Sequence, residues 1–153
     1  MTKMTERPTM GRIEGGVHYL TLRVYYEDTD ASGIVYYANY LKFIERARTD
    51  LMRLVGITHS ATQAADGVAF AVRRCEIDYR KPARLDDEIE VRTRLLDVRG
   101  ASLDALQTIH RGGDDLVTTK LQIACIDGAG RAKRLPRHIR VALLEFSSQT
   151  AAS

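Results

Sequence analysis

Two carboxylates, Asp28 and Asp30, stand two residues apart in a turn between an alternating strand and an amphipathic helix. The run reads Tyr25-Tyr26-Glu27-Asp28-Thr29-Asp30-Ala31-Ser32-Gly33-Ile34-Val35-Tyr36-Tyr37-Ala38-Asn39-Tyr40, then continues into Phe43-Ile44-Glu45-Arg46-Ala47-Arg48. A carboxylate beside the positive end of a helix can attack a carbonyl carbon or take a proton from water. Free N–H groups at that helix start can hold the developing oxyanion. This pairing suits transfer of an acyl group to water. Asp30 is the stronger candidate, because Gly33 allows a tight backbone turn after it and the helix begins a few residues later. The same Asp-x-Asp-x-x-Gly pattern also serves as a plain helix-capping turn, and the residues alone leave both readings open.

The other polar side chains also admit both a chemical and a structural role. Asp28 is the rival acid, but no further ligand of suitable spacing follows it, and His18, His59, His110 and His138 are scattered. No metal site is expected. Tyr26 falls on the apolar face of the first strand, which would point it inward, either as a core aromatic or with its hydroxyl toward Asp30. Asn39 can cap the helix or bridge to the acidic turn. Arg48 has Glu45 one turn back, a spacing that suits an ion pair. Ser32 lacks the glycine-flanked elbow of a serine hydrolase. The basic run Arg131-Ala132-Lys133-Arg134-Leu135-Pro136-Arg137-His138-Ile139-Arg140, and Arg99 before Gly100, could face phosphates or form a solvated surface.

The elements that must position these groups follow from periodicity. Tyr19 to Tyr26 alternates as a strand, and Tyr37 to Val55 switches to helical spacing with Gly56 as its stop. Val68–Arg80, Asp86–Val98, Ala101–His110 and Leu116–Ile126 read as strands, the last two joined by a hairpin at Arg111-Gly112-Gly113-Asp114. A last short strand is expected over His138 to Phe146. One helix with several antiparallel strands, one of them cleanly alternating, suits an α+β sheet packed around that helix, with a largely polar opposite face. At 153 residues and 44% hydrophobic composition, the chain forms a single domain with a real core. It divides into a flexible segment 1–16, a domain 17–146 and a loose tail 147–153. No apolar run suits a membrane helix or signal peptide, so the expected location is the cytoplasm. Cys75 and Cys125 are expected as buried, reduced thiols. A net charge of +3 with 7% aromatic residues and no base-stacking motif argues against nucleic acid as a partner.

Asp28-Thr29-Asp30-Ala31-Ser32-Gly33-Ile34-Val35, the tyrosine-rich link and Glu45-Arg46-Ala47-Arg48 resemble the signature of hotdog-fold acyl-CoA thioesterases of the 4-hydroxybenzoyl-CoA thioesterase group. The similarity is greatest to the Tol-Pal-associated branch. Lys81-Pro82-Ala83-Arg84-Leu85-Asp86-Asp87 and Arg99-Gly100-Ala101-Ser102 add weaker support. The resemblance implies the hotdog fold, a curved antiparallel sheet wrapped around one long helix, with strands pairing across a homodimer or within a homotetramer. It implies hydrolysis of acyl-CoA to free acid and coenzyme A, with coenzyme A as part of the substrate and no cofactor. It assigns catalysis to Asp30, with Tyr26 and Tyr37 beside it. Substrate-binding roles fall to Gly33, Val35, Tyr36 and Ala38 at the helix start and to Arg99 and Arg131 on the phosphates. Position 37 departs from the Tol-Pal branch, which usually has histidine there, so Tyr37 is expected to act through its main-chain N–H. That branch also leaves open a non-catalytic module that binds acyl-CoA or an envelope or lipid-synthesis protein.

Overall fold

The computed structural model describes residues 11–151. Six strands form one antiparallel sheet in the order β1-β2-β4-β5-β6-β3: β1 Arg12–Glu14, β2 Val17–Arg23, β3 Ala69–Tyr79, β4 Glu88–Val98, β5 Ser102–Arg111 and β6 Asp114–Ile126. Three helices accompany it: α1 Asn39–Leu54, α2 His59–Asp66 and α3 Arg137–Ala151. The long helix α1 lies against β2 and β4. Its buried stripe of Tyr40, Phe43, Ile44, Ala47, Leu51 and Met52 packs on the inward residues Leu20, Ile89, Val91, Ile109, Val117 and Leu121. Side chains of β4 alternate as expected, with Ile89, Val91, Thr93 and Leu95 buried while Glu88 and Arg94 are exposed. Among the described residues no helix is long and apolar enough to cross a membrane.

Four expectations need correction. The region expected as a strand over His138 to Phe146 is the helix α3, which runs through the tail expected to be loose as far as Ala151. Leu135, Ile139, Leu143 and Phe146 are all nearly inaccessible, and their spacing of four, four and three residues is helical rather than alternating. Pro136 starts the helix, with its carbonyl accepting from the N–H groups of Ile139 and Arg140. A second short helix, α2, was not anticipated.

Next, part of the segment expected as a flexible lead-in is a strand. Gly15 and Gly16, both at positive φ, make a two-residue turn that folds Arg12–Glu14 back on β2. Residues 1–10 of that segment lie outside the described residues. Third, Cys75 is exposed, because β3 is an edge strand whose α1 side is poorly covered; Cys125 is buried as expected. Fourth, the first strand ends at Arg23, before the tyrosine pair.

Candidate active site

The chain leaves β2 at Arg23 and enters one 3₁₀ turn, Tyr26–Asp28, instead of continuing extended. Asp28 causes this. Its carboxylate accepts from the Tyr25 N–H at 2.8 Å, and its carbonyl accepts from the Tyr36 N–H at 3.0 Å and the Asn39 side-chain amide at 3.0 Å. Asn39 therefore bridges to the acidic turn rather than capping the helix, and Asp28 is consumed in holding the turn together. Tyr26, expected to point inward, is 83% exposed in the single chain because the turn rotates it off the sheet. Its carbonyl accepts from the backbone N–H and the hydroxyl of Thr29.

Asp30 is fixed differently. One carboxylate oxygen accepts from the Ser32 N–H at 2.8 Å, and among the described residues the other has no partner. The carbonyl of Asp30 accepts from the Gly33 N–H at 3.1 Å, and its own N–H donates to the Ile34 carbonyl at 2.9 Å. Gly33 sits at φ +77°, a conformation that costs side-chain-bearing residues roughly 1–2 kcal/mol. The turn is also pinned from outside. Val35 donates to the Ala83 carbonyl and Leu85 donates to the Gly33 carbonyl. The 83–87 loop is held in turn by Asp87, which accepts from the Arg84 N–H and, at 2.7 Å, from Arg111. Burial pushes the Asp87 carboxyl upward, but the Arg111 and Arg84 hydrogen bonds outweigh it and leave the group below the usual range.

The expected oxyanion donors can now be sorted. The N–H groups of Gly33, Val35 and Tyr36 are all engaged within the chain. Those of Tyr37 and Ala38, immediately before α1, have no acceptor among the described residues. Tyr37 is anchored by its carbonyl, which accepts from the Tyr79 hydroxyl of β3 at 3.1 Å, and its ring lies 4.8 Å from that of Tyr36. Two unengaged amides at a helix start, with an accessible carboxylate in the preceding turn, can polarise a carbonyl while the acid attacks it or activates water.

The phosphate candidates lie elsewhere. Leu135 donates to the Gly100 carbonyl at 2.8 Å, which brings the basic loop against the β4–β5 turn that carries Arg99. The Arg99 guanidinium is already occupied by Asp104, Asp97 and Ser102, a cluster that raises its pKa well above the ordinary value. Arg131, Lys133, Arg134, Arg137 and Arg140 are all exposed. This end of the sheet is remote from Asp30. Strand β4 leads from the Asp30 turn to the basic loop over 11 residues, about 35 Å at strand rise.

Sequence reasoning missed the buried surroundings of Arg48. Its guanidinium donates to the Gln107 Oε1 at 3.0 Å rather than pairing with Glu45. Gln107 is itself fully buried and donates to the Ile44 carbonyl and to Thr93 Oγ1. The inward position of Gln107 in the alternation of β5 was the only available signal.

A single antiparallel sheet carrying one long helix, with an acidic turn poised at that helix's start, is the hotdog arrangement of thioester-cleaving proteins. The chain belongs to the thioesterase-like superfamily, whose family profile matches residues 24–143. It is 42% identical over 120 residues to the acyl-CoA thioester hydrolase YbgC of Escherichia coli O6:H1, covering 77% of this chain and 89% of the relative. The acyl-CoA thioesterase YbgC of Haemophilus influenzae is 38% identical over 122 residues, covering 79% of this chain and 90% of the relative. Among solved structures, a probable thioesterase from Bartonella henselae superposes with a TM-score of 0.76 at 38% identity, covering 78% of this chain and 99% of that one.

Proposed function

We propose that this protein hydrolyses acyl-CoA thioesters to free acid and coenzyme A, working as a pair of copies joined along β3. The observation that carries the reading is the exposed Asp30 carboxylate in the Gly33 turn that leads into α1, together with the Tyr37 and Ala38 amides at that helix start, which have no acceptor among the described residues. The named activity of the YbgC relatives supports it. Those two amides receive the oxyanion as the thioester carbonyl carbon becomes tetrahedral. Asp30 either attacks that carbon, giving a mixed anhydride and releasing the thiolate, or removes a proton from the attacking water. In both routes the C–S bond breaks, the sulfur leaves as coenzyme A and water supplies the hydroxyl of the acid.

Pairing along β3 accounts for the distance between Asp30 and the basic loop. The Ala69 end of β3 lies opposite Ile126, close to the basic loop, while its Tyr79 end touches Tyr37. An antiparallel second copy would set the Tyr79 end of one chain beside the Ala69 end of the other. Asp30 of one copy would then face the basic loop of its partner, where Arg131 and its neighbours can take coenzyme A phosphates.

The test is thiol release from a panel of acyl-CoAs by the purified protein. Asp30→Asn should lower turnover by a factor of about 10² or more while acyl-CoA binding persists. Hydrolysis by that variant at the wild-type rate would overturn the assignment. Binding without thiol release by the wild type would instead mark a non-catalytic module.

A further inference from the structure

A cavity of about 130 Å³ lies between the second half of α1, the start of β3, α3 and the inward face of the sheet. Its floor is apolar, formed by Leu95, Leu103, Ala105, Ile123 and Leu143. Engineered apolar cavities of about 150 Å³ hold one benzene ring, so this space suits roughly six carbon atoms. Arg48 lines it. Burial lowers the pKa of this guanidinium, and among the described residues no carboxylate lies within 4.0 Å of it. It donates to neutral Gln107, which two further bonds hold in one orientation. A guanidinium fixed in this way, half-buried and with no carboxylate in direct contact among the described residues, is a preorganised receptor for a planar anion.

We propose that this cavity takes the acyl group of the thioester and that Arg48 selects acyl groups of about six carbons ending in a carboxylate. The proposal rests on the thioesterase reading above, because pairing along β3 brings the partner's Asp30 turn toward Phe70 and Val72 at the cavity's mouth. The apolar floor excludes water along the methylene chain, and the terminal carboxylate accepts two parallel hydrogen bonds from the guanidinium. Glu45 also lines the cavity, and its charge acts on Arg48 against the effect of burial, so it opposes an incoming anion in part.

The experiment compares adipyl-CoA with hexanoyl-CoA, which match in chain length and differ in the terminal carboxylate. The wild type should favour adipyl-CoA in kcat/KM on the order of ten-fold. In Arg48→Gln that ratio should fall to one or below. In Arg48→Lys, which keeps the charge but loses the planar fork, it should fall partway. Glu45→Gln should raise it. Affinities of the Asp30→Asn protein for the same two esters, measured by calorimetry, give the preference independently of turnover. A wild type that prefers hexanoyl-CoA in both measurements, or an Arg48→Gln protein that folds and keeps the adipyl preference, would overturn the proposal. Absence of turnover with a persistent adipyl preference in binding would sink the thioesterase reading and leave the Arg48 assignment standing.

Discussion

The two edges of the sheet differ in length and in how firmly they are tied to the core. At one edge β1 is three residues long, carries Arg12 and Glu14, and is covered by an Arg12 guanidinium 4.4 Å from the Tyr19 ring. It is also locked to the core. The Asp50 carboxylate of α1 accepts from the Gly11 N–H at 2.9 Å and meets His18 Nε2 at 2.7 Å. The other edge, β3, runs 11 residues with Val72, Cys75 and Tyr79 exposed, and the neighbouring Leu41 of α1 is exposed too. Both edges carry charge, since Arg73, Arg74, Glu76 and Asp78 of β3 are exposed, so the difference lies in length: three residues offer few backbone groups for strand addition, whereas 11 offer a long row. The contrast teaches that one edge is tied back to the core, while the other offers the row of backbone groups that the proposed pairing of two copies would use.

The sharpest way to break this comparison is to spoil the open edge. Val72→Pro removes a donor from β3 and should yield monomers, with turnover falling by a factor of about 10² or more. Sedimentation and thiol release on the same sample check both effects, and a fully active monomer would end the account. A second experiment sharpens it by asking whether each site spans two copies. Co-expressed Asp30→Asn chains and chains with Arg131, Lys133 and Arg134 changed to glutamate should recover about a quarter of wild-type turnover, because each mixed pair regains one intact site. Sites contained in a single copy would show no recovery.

The closed edge should respond differently. Asp50→Ala removes the acceptor shared by His18 and Gly11 and should cost about 1–3 kcal/mol in urea unfolding, with the oligomeric state unchanged. A smaller effect comes from pH. Burial lowers the pKa of His18 from 6.5, against the opposing influence of Asp50. The unfolded chain therefore binds the proton more readily than the folded one. Stability from this group is fully present above 6.5 and is lost as pH falls below it toward the folded value. Thermal midpoints should drop between pH 7 and pH 5.5, with a shallower slope in His18→Gln. Burial lowers the pKa of His110 as well, so some slope should remain.

Much of this was legible from residues alone where a single period dominates. The helix expected over Tyr37–Val55 is observed as Asn39–Leu54, and the hairpin at Gly112-Gly113 joins Arg111 to Asp114. The strand expected over His138 to Phe146 is instead α3, because Leu135, Ile139, Leu143 and Phe146 share one buried face only at helical spacing. Tyr26 was misplaced for a different reason. Alternation continues through Tyr25 and Tyr26, but the Asp28 carboxylate captures the Tyr25 N–H and ends the strand early. Local hydrogen bonds from an acidic side chain prevailed over side-chain pattern there.

The chain's own letters determined the acidic turn, the glycine that closes it and the amphipathic helix that follows. These depend on interactions within a few residues, where spacing alone sets geometry. Tertiary structure decided which of the two acids stays accessible, since Asp28 is bound by groups up to 11 residues away while one Asp30 oxygen has no partner among the described residues. It also decided that, of the expected oxyanion donors, Tyr37 and Ala38 are the two whose amides have no acceptor among the described residues. Ala83 and Asp28 claim the neighbouring ones through contacts whose partners are distant in the chain. Arg48 makes the same point, because its half-buried position and its hydrogen bond to Gln107, 59 residues further on, exist only in the folded chain.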